Sequence, residues 1–140
     1  MWLRVHPHHN PPVKLALNPG KIDMLKDAIT IVTGAGSGIG HATALSFHAA
    51  GASVVLAGPR EAPLLETHQA IEAQGGSAWV RSVDREDGDA AAALGQWALD
   101  EFGHVDVLVN NAGHSTRVRS LRYIDPEDFA SVFKVNVDAV

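Results

Sequence analysis

The sequence predicts an α/β domain in which a parallel sheet carries helices on both faces. Short apolar runs alternate along the chain with longer helical segments, and this alternation is typical of βαβ units. Within each short run the residues are apolar at consecutive positions and do not alternate with polar ones, as expected for strands that are covered on both sides. Glycines follow the helical segments and end them. Together these three observations predict a doubly wound parallel sheet.

The elements follow from the same patterns. Strands are predicted at residues 28–32, 53–57, 77–83 and 105–109. Helices are predicted at residues 38–50, 62–74 and 87–102, and a fourth begins at Pro126. Asp125 and Pro126 supply an N-cap and a proline at the first helical position. Right-handed crossovers then give the Rossmann-type strand order 3-2-1-4, with any later strands absent from these residues.

Composition excludes several classes of protein. The chain has 140 residues, 46% of them hydrophobic, and a net charge of −5, so it lacks the basic surface of a nucleic-acid binder. No apolar run reaches the roughly 18 residues of a membrane span. Without cysteine there can be no disulfide and no cysteine-based zinc site. We expect a single cytoplasmic domain with no metal.

The first residues differ in composition from the rest. Residues 1–22 contain four prolines, no acid and the three histidines His6, His8 and His9. We expect residues 1–27 to be a weakly ordered leader and residues 28–140 to be the folded domain. A metal-binding or targeting role for the leader is the alternative.

A glycine-rich turn follows the first strand. Residues 33–40 read Thr-Gly-Ala-Gly-Ser-Gly-Ile-Gly and lead directly into the first helix. Such a turn brings backbone N–H groups and the positive end of a helix close to a phosphate. The spacing is G-x-x-x-G-x-G, and no Gly-Lys-Ser/Thr follows, which argues against a nucleotide hydrolase. An ordinary tight turn is the alternative, but the position between strand and helix favours a nucleotide site.

Polar and small residues also follow the other three strands. They are Gly58-Pro59-Arg60, Asp84 and the segment Asn110-Asn111-Ala112-Gly113. The carboxyl ends of parallel strands meet at one edge of the sheet, where ligands bind. These groups therefore predict a dinucleotide site.

With these motifs in view, the chain resembles the classical short-chain dehydrogenases/reductases. The glycine turn matches that family's T-G-x-x-x-G-I-G loop, and residues 110–113 match its N-N-A-G segment. Asp84 and Asn136 match its acid after the third strand and its asparagine in the following helix. The resemblance covers residues 28–140. It implies an NAD(P)-dependent oxidoreductase that transfers hydride between nicotinamide and a secondary alcohol or carbonyl compound.

The resemblance also implies a role for each matched residue. The pyrophosphate would contact Ser37, Gly38, Ile39 and Gly40, with Gly34 shaping the turn. Asp84 would accept a hydrogen bond from adenine, and the nicotinamide ribose would lie by Asn110, Ala112 and Gly113. Asn136 would hold a water in a proton relay, and Asn110 with Asn111 would brace the sheet. The alternatives are a turn cap for Asp84, a structural hydrogen bond for Asn111 and an ordinary helical position for Asn136.

The choice between NADP and NAD depends on the end of the second strand. An acid there would bind the ribose 2′-OH of NAD, but the chain has Gly58 and then Pro59 and Arg60. Arg60 can pair with a 2′-phosphate, which favours NADP. A solvated arginine at a helix start is the alternative.

The family's catalytic Ser and Tyr-x-x-x-Lys have no match in these residues. Four residues after Tyr123 stands Glu127, and Tyr123, Ser115 and Ser120 precede Asn136, which is too early. We therefore interpret Tyr123 as a packing residue and the serines as loop residues. The sequence predicts a truncated, catalytically incomplete cofactor half, whose full-length form would be a homo-oligomer. A non-catalytic NAD(P)-binding module, completed by a partner chain, is the alternative.

Overall fold

The computed structural model describes residues 23–84, 88–116, 120 and 122–138. The strands are β1 (Ile29–Thr33), β2 (Ser53–Gly58), β3 (Ala78–Ser82) and β4 (Val107–Val109). The helices are α1 (Gly38–Ala49), α2 (Glu61–Glu72), α3 (Gly88–Phe102) and α4 (Pro126–Phe133), and a π-helix follows at Lys134–Asp138. All strand pairs are parallel, in the order β3-β2-β1-β4, so the predicted topology is confirmed.

The two central strands are buried on both faces. On one face, Val32, Val54 and Leu56 pack with residues of α1 and α2, namely Ala44, Leu64 and Ile71. On the other face, Ile31, Val55 and Ala57 pack with Leu94 and Ala98 of α3. Neighbouring strand residues point to opposite faces, which explains why these strands are apolar at every position.

The strand register brings the carboxyl ends of the strands to one edge. Thr33 of β1 pairs with Ala57, and Val32 pairs with Val109. Gly58 at the end of β2 pairs with Ser82. The glycine turn, the start of α2 and the segments after β3 and β4 therefore leave the sheet side by side. This edge is where the predicted site residues lie.

Strand β4 is shorter than the sequence predicted. It begins at Val107, whereas residues 105 and 106 lie outside the ladder. The Ile29 N–H donates to the Asp106 carboxylate at 2.8 Å. The first backbone donor of β1 is therefore bound by a side chain and not by the backbone of β4. The strand lies at the edge of the described sheet, and Leu108 is 56% exposed. The other element bounds differ from the predicted ones by one or two residues.

Residues 23–27 form a turn that directly precedes β1. The Leu25 N–H donates to the Ala50 carbonyl at 3.0 Å, and the Leu25 side chain packs against the α1 and α2 core. This part of the expected leader therefore contacts the domain. The remainder, residues 1–22 with the three histidines, lies outside the described residues.

Candidate functional site

The glycine turn presents the amino end of α1 to solvent. Gly34 and Gly38 have φ values of +66° and +56°, which L-residues rarely adopt. Ser37 is the N-cap of α1 but makes no side-chain capping hydrogen bond, although serine is a favoured capping residue. Its hydroxyl and the first N–H groups of α1 are thus available to an anion.

An apolar side chain lies exposed beside these donors. Ile39, in the first turn of α1, is 78% exposed. Water solvates such a side chain poorly, so a ligand that covered it would gain from the contact. The amino end of α1 is therefore flanked by apolar surface.

Glycine allows three chain segments to approach one another closely. A Cβ on Gly34 would lie 2.9 Å from Asn111 Nδ2 and 3.2 Å from the Ala112 Cα. A Cβ on Gly40 would overlap the Gly34 carbonyl oxygen. The turn, α1 and the segment after β4 are packed too tightly for any side chain at these positions.

Thr33 and Asn111 join the ends of β1 and β4. The Thr33 hydroxyl accepts from the N–H groups of Asn111 and Ala112, at 3.0 and 2.9 Å, and donates to the Val109 carbonyl at 3.2 Å. Asn111 Nδ2 donates to the Thr33 carbonyl at 2.9 Å. The structural alternative left open for Asn111 is therefore the one observed. The part played by Thr33 was not predicted, because its partners are distant in sequence.

Two adjoining clefts run along the carboxyl edge of the sheet. The larger, of about 290 Å³, is lined by six predicted residues: Gly34, Ser37, Ile39, Arg60, Ala112 and Gly113. The smaller, of about 70 Å³, is lined by Gly34, Asp84, Asn110 and Ala112 together with apolar residues of α3. Gly34 and Ala112 line both clefts, so these eight predicted residues share one crevice, whereas Gly38 and Gly40 line neither cleft.

The first turn of α2 contributes cleft residues that sequence reasoning missed. Pro63 and Leu64 line the larger cleft beside Arg60, which is exposed and forms the N-cap of α2. A Cβ on Gly36 would lie 2.8 Å from Pro63 Cβ, so α2 rests directly on the glycine turn. The position of this turn just after β2 is the signal that could have identified them.

Asn136 holds the segment after β4 rather than lining a cleft. Its Oδ1 accepts from the His114 N–H and its Nδ2 donates to the His114 carbonyl, both at 3.0 Å. Asn136 lies in the π-helix, a distortion that is frequent at functional sites. Its carboxamide thus has both polar atoms engaged with backbone, so Asn136 is more than an ordinary helical residue.

The residues set aside as catalytic candidates lie outside both clefts. Ser115, Ser120 and Tyr123 are exposed, and none lines either cleft in the part of the chain that the structure describes. The interpretation of Tyr123 as a packing residue is wrong, since 71% of it is exposed. Among the described helices, none has the length and apolar character needed to cross a bilayer.

The sheet order and the crevice beside the glycine turn define a Rossmann-type domain. The family model for short chain dehydrogenases matches residues 28–140, and the chain belongs to this family. The resemblance inferred from the motifs is therefore confirmed.

Relatives and solved structures agree with this assignment. The probable oxidoreductase EphD of Mycobacterium bovis is 39% identical over 116 residues, which are 81% of this chain and 19% of that protein. A metagenomic short-chain oxidoreductase in complex with NADP superposes with a TM-score of 0.78 at 36% identity, covering 82% of this chain and 52% of the other. A short chain dehydrogenase/reductase from Burkholderia phymatum in complex with NAD gives 0.77 at 35% identity, covering 82% and 41%. The chain therefore spans about half or less of these proteins.

Proposed function

We propose that the crevice binds NADP and that the domain is the cofactor half of an oxidoreductase acting on a secondary alcohol or carbonyl compound. The observation that carries the proposal is the shared crevice, in which the glycine turn opens toward both Asp84 and Asn110. Similarity to structures that hold NADP and NAD supports a dinucleotide without favouring either one. The choice between them rests on this chain's own residues.

The turn fits a pyrophosphate. Ser37 has a hydroxyl with no capping bond, and the first N–H groups of α1 lack helical partners. Gly38 has open space at its Cβ position, which permits close approach of a ligand. Because the helix dipole adds partial positive charge, these groups would hold the two phosphates. Ile39 would be covered by the bound dinucleotide.

The smaller cleft fits an adenine ring. Val83, Ala91 and Leu94 supply apolar surface, and Asp84 is one of the polar residues that line this cleft. A carboxylate is acceptor-only when ionised, so it would recognise the exocyclic amino group of adenine. A mainly apolar cleft lined by a few polar groups is typical of a ligand pocket.

The start of α2 fits a 2′-phosphate better than a free 2′-hydroxyl. Gly58 ends β2 where an acid would be needed for NAD, and Arg60 lines the cleft near Ser37. The planar guanidinium of arginine can donate two parallel hydrogen bonds to a phosphate. We therefore assign Arg60 to the 2′-phosphate of NADP.

The nicotinamide end would lie toward Asn110, Ala112 and Gly113. Asn136 fixes this segment through the backbone of His114, which would orient the ribose side of the crevice. When bound, the dinucleotide would supply the hydride donor or acceptor. The role of Asn136 in a proton relay stays a prediction, and any water there would have to be held despite the bonds that its carboxamide already makes.

Calorimetric titration with NADPH and NADH tests the proposal. We expect Arg60→Gln to weaken NADPH binding by about tenfold or more, because a charge-assisted hydrogen bond contributes roughly 1.5–3 kcal/mol. NADH binding should change little. Lys26→Gln, which removes one positive charge from the turn at the opposite edge of the sheet, is the matched control.

Two outcomes would count against the proposal. Binding of neither dinucleotide by the unaltered chain would leave the crevice without its assigned ligand. If Arg60→Gln weakened the binding of NADPH and of NADH equally, Arg60 would not be the residue that binds the 2′-phosphate. The proposal that the crevice binds a dinucleotide would remain.

A further inference from the structure

The glycine turn is held from two sides through one buried residue. The Ala35 N–H donates to the Ala57 carbonyl of β2 at 3.2 Å. The Ala35 carbonyl accepts from the Thr67 hydroxyl of α2 at 3.0 Å. Ala35 and Thr67 are both fully buried, so water cannot replace either partner without a rearrangement.

A histidine completes this contact from α1. His41 Nδ1 lies 2.8 Å from the Thr67 hydroxyl, which is also 3.2 Å from the Pro63 carbonyl. The two carbonyls can only accept, so the single hydroxyl proton points toward them. The hydroxyl oxygen then accepts from His41, which assigns the proton to Nδ1 of the imidazole. The glycine turn, α1 and α2 are thus joined at the oxygen of Thr67.

We propose that Thr67 and His41 are positioning residues that set the distance between the glycine turn and the first turn of α2. Neither side chain lines the two clefts, so both act through other groups. The helix that Thr67 holds begins next to Arg60, and the turn that it holds leads to Ser37. This inference rests on the proposed function, in which Ser37 and Arg60 bind different parts of one dinucleotide.

The distance between the glycine turn and the first turn of α2 should affect the binding of NADPH and of NADH unequally. The pyrophosphate is bound by the turn and the start of α1, which remain covalently continuous when α2 shifts. The 2′-phosphate needs Arg60 of α2 in place at the same time. Loss of the Thr67 hydroxyl leaves the Ala35 carbonyl buried without its donor, which favours displacement of the turn from α2. NADPH binding should therefore suffer more than NADH binding.

Thr67→Val and Thr67→Ser separate the hydroxyl from the rest of the side chain. Valine keeps the shape and removes the hydrogen bonds, whereas serine keeps the hydroxyl. We expect Thr67→Val to weaken NADPH by about tenfold and NADH by less than about threefold. Thr67→Ser should bind both dinucleotides with affinities close to those of the unaltered chain. His41→Ala should change the NADPH/NADH ratio in the same direction, and His41→Asn should partly restore it.

Thr30→Val is the matched control. Thr30 is also fully buried, and its hydroxyl donates to a backbone carbonyl, that of Ser53, at 3.1 Å. It lies near the start of β1, away from the crevice, so this change should leave both affinities and their ratio intact. Urea unfolding of each variant, measured beside the titrations, separates an effect on binding from an effect on folding. If Thr67→Val fails to fold, the His41 variants and Thr67→Ser provide the same comparison.

The outcomes are distinct. Thr67→Val with an unchanged NADPH/NADH ratio would overturn the inference, whether both affinities fall together or neither falls. Failure of the unaltered chain to bind any dinucleotide would instead overturn the proposed function on which the inference rests. A changed ratio in Thr67→Val, restored in Thr67→Ser and absent in Thr30→Val, would establish it.

Discussion

Thr33 shows how one small side chain can join two strands at a site. Its hydroxyl is the acceptor for two successive backbone N–H groups, those of Asn111 and Ala112, and the donor to the Val109 carbonyl. A hydroxyl has two lone pairs and one proton, so these three bonds use its full capacity. The segment that follows β4 therefore takes its direction from a residue of β1.

Replacement of Thr33 by valine should be costly. The half-buried Ala112 N–H would lose its acceptor, whereas the Asn111 N–H would keep the Val109 carbonyl at 3.0 Å. We expect the free energy of unfolding to fall by about 1–3 kcal/mol, the cost of one buried donor left unpaired. Thr33→Ser, which keeps the hydroxyl, should lose much less. Urea denaturation followed by tryptophan fluorescence gives both values. Equal stability of the valine and serine variants would show that the three bonds contribute little.

Asp125 caps the amino end of α4. Its Oδ1 accepts from the Glu127 N–H at 2.8 Å, which satisfies one of the free donors at the helix start. The helix continues into the π-helix that carries Asn136, so fraying of α4 would also loosen the bonds to His114.

Asp125→Ala should therefore raise amide hydrogen exchange in α4. The expected loss is about 1 kcal/mol of local stability, since alanine cannot cap a helix. Asp125→Asn should retain most of the protection, because asparagine caps as well as aspartate does. Exchange measured by mass spectrometry on peptides from residues 122–138 resolves this difference. Equal protection in the alanine and asparagine variants would contradict a capping role.

The elements predicted well are those whose signal is local. The β1 strand, the glycine turn and α1 were predictable because apolar runs and required glycines are visible within a few residues of one another. The start of β4 was not, because it depends on the Asp106 carboxylate reaching Ile29 across 77 positions. Such contacts leave no local pattern.

The candidate site was also predictable only where its signal is local. The residues that line the two clefts, such as Ser37 and Asp84, follow predictable strands and were identified by position. The contacts that hold those residues in place were not. Asn136 bonds to a backbone 22 positions away, and Thr67 bonds to one 32 positions away. Sequence reasoning identified most of the residues that line the crevice but not the contacts that support them.

At the scale of the whole molecule, apolar exposure is uneven. The centre of the sheet is inaccessible to solvent, since Val32, Val54 and Val55 are fully buried. Four large apolar residues of the last described elements are exposed instead: Leu108, Phe129, Phe133 and Val137. Strand β4 pairs with β1, and no other described strand lies beside it. Exposed apolar side chains and an open strand edge each favour contact with another chain.

We therefore expect the 140-residue chain to associate with itself as its concentration rises. Sedimentation velocity over a range of concentrations should show an increasing average mass. Leu108→Lys and Phe133→Lys should lower that increase, because a lysine ammonium is strongly hydrated and resists burial. Met24→Lys is the control, since Met24 is 80% exposed but lies in the turn before β1. A concentration-independent monomer, or an equal effect of all three variants, would show that the β4 and α4 side chains do not drive association.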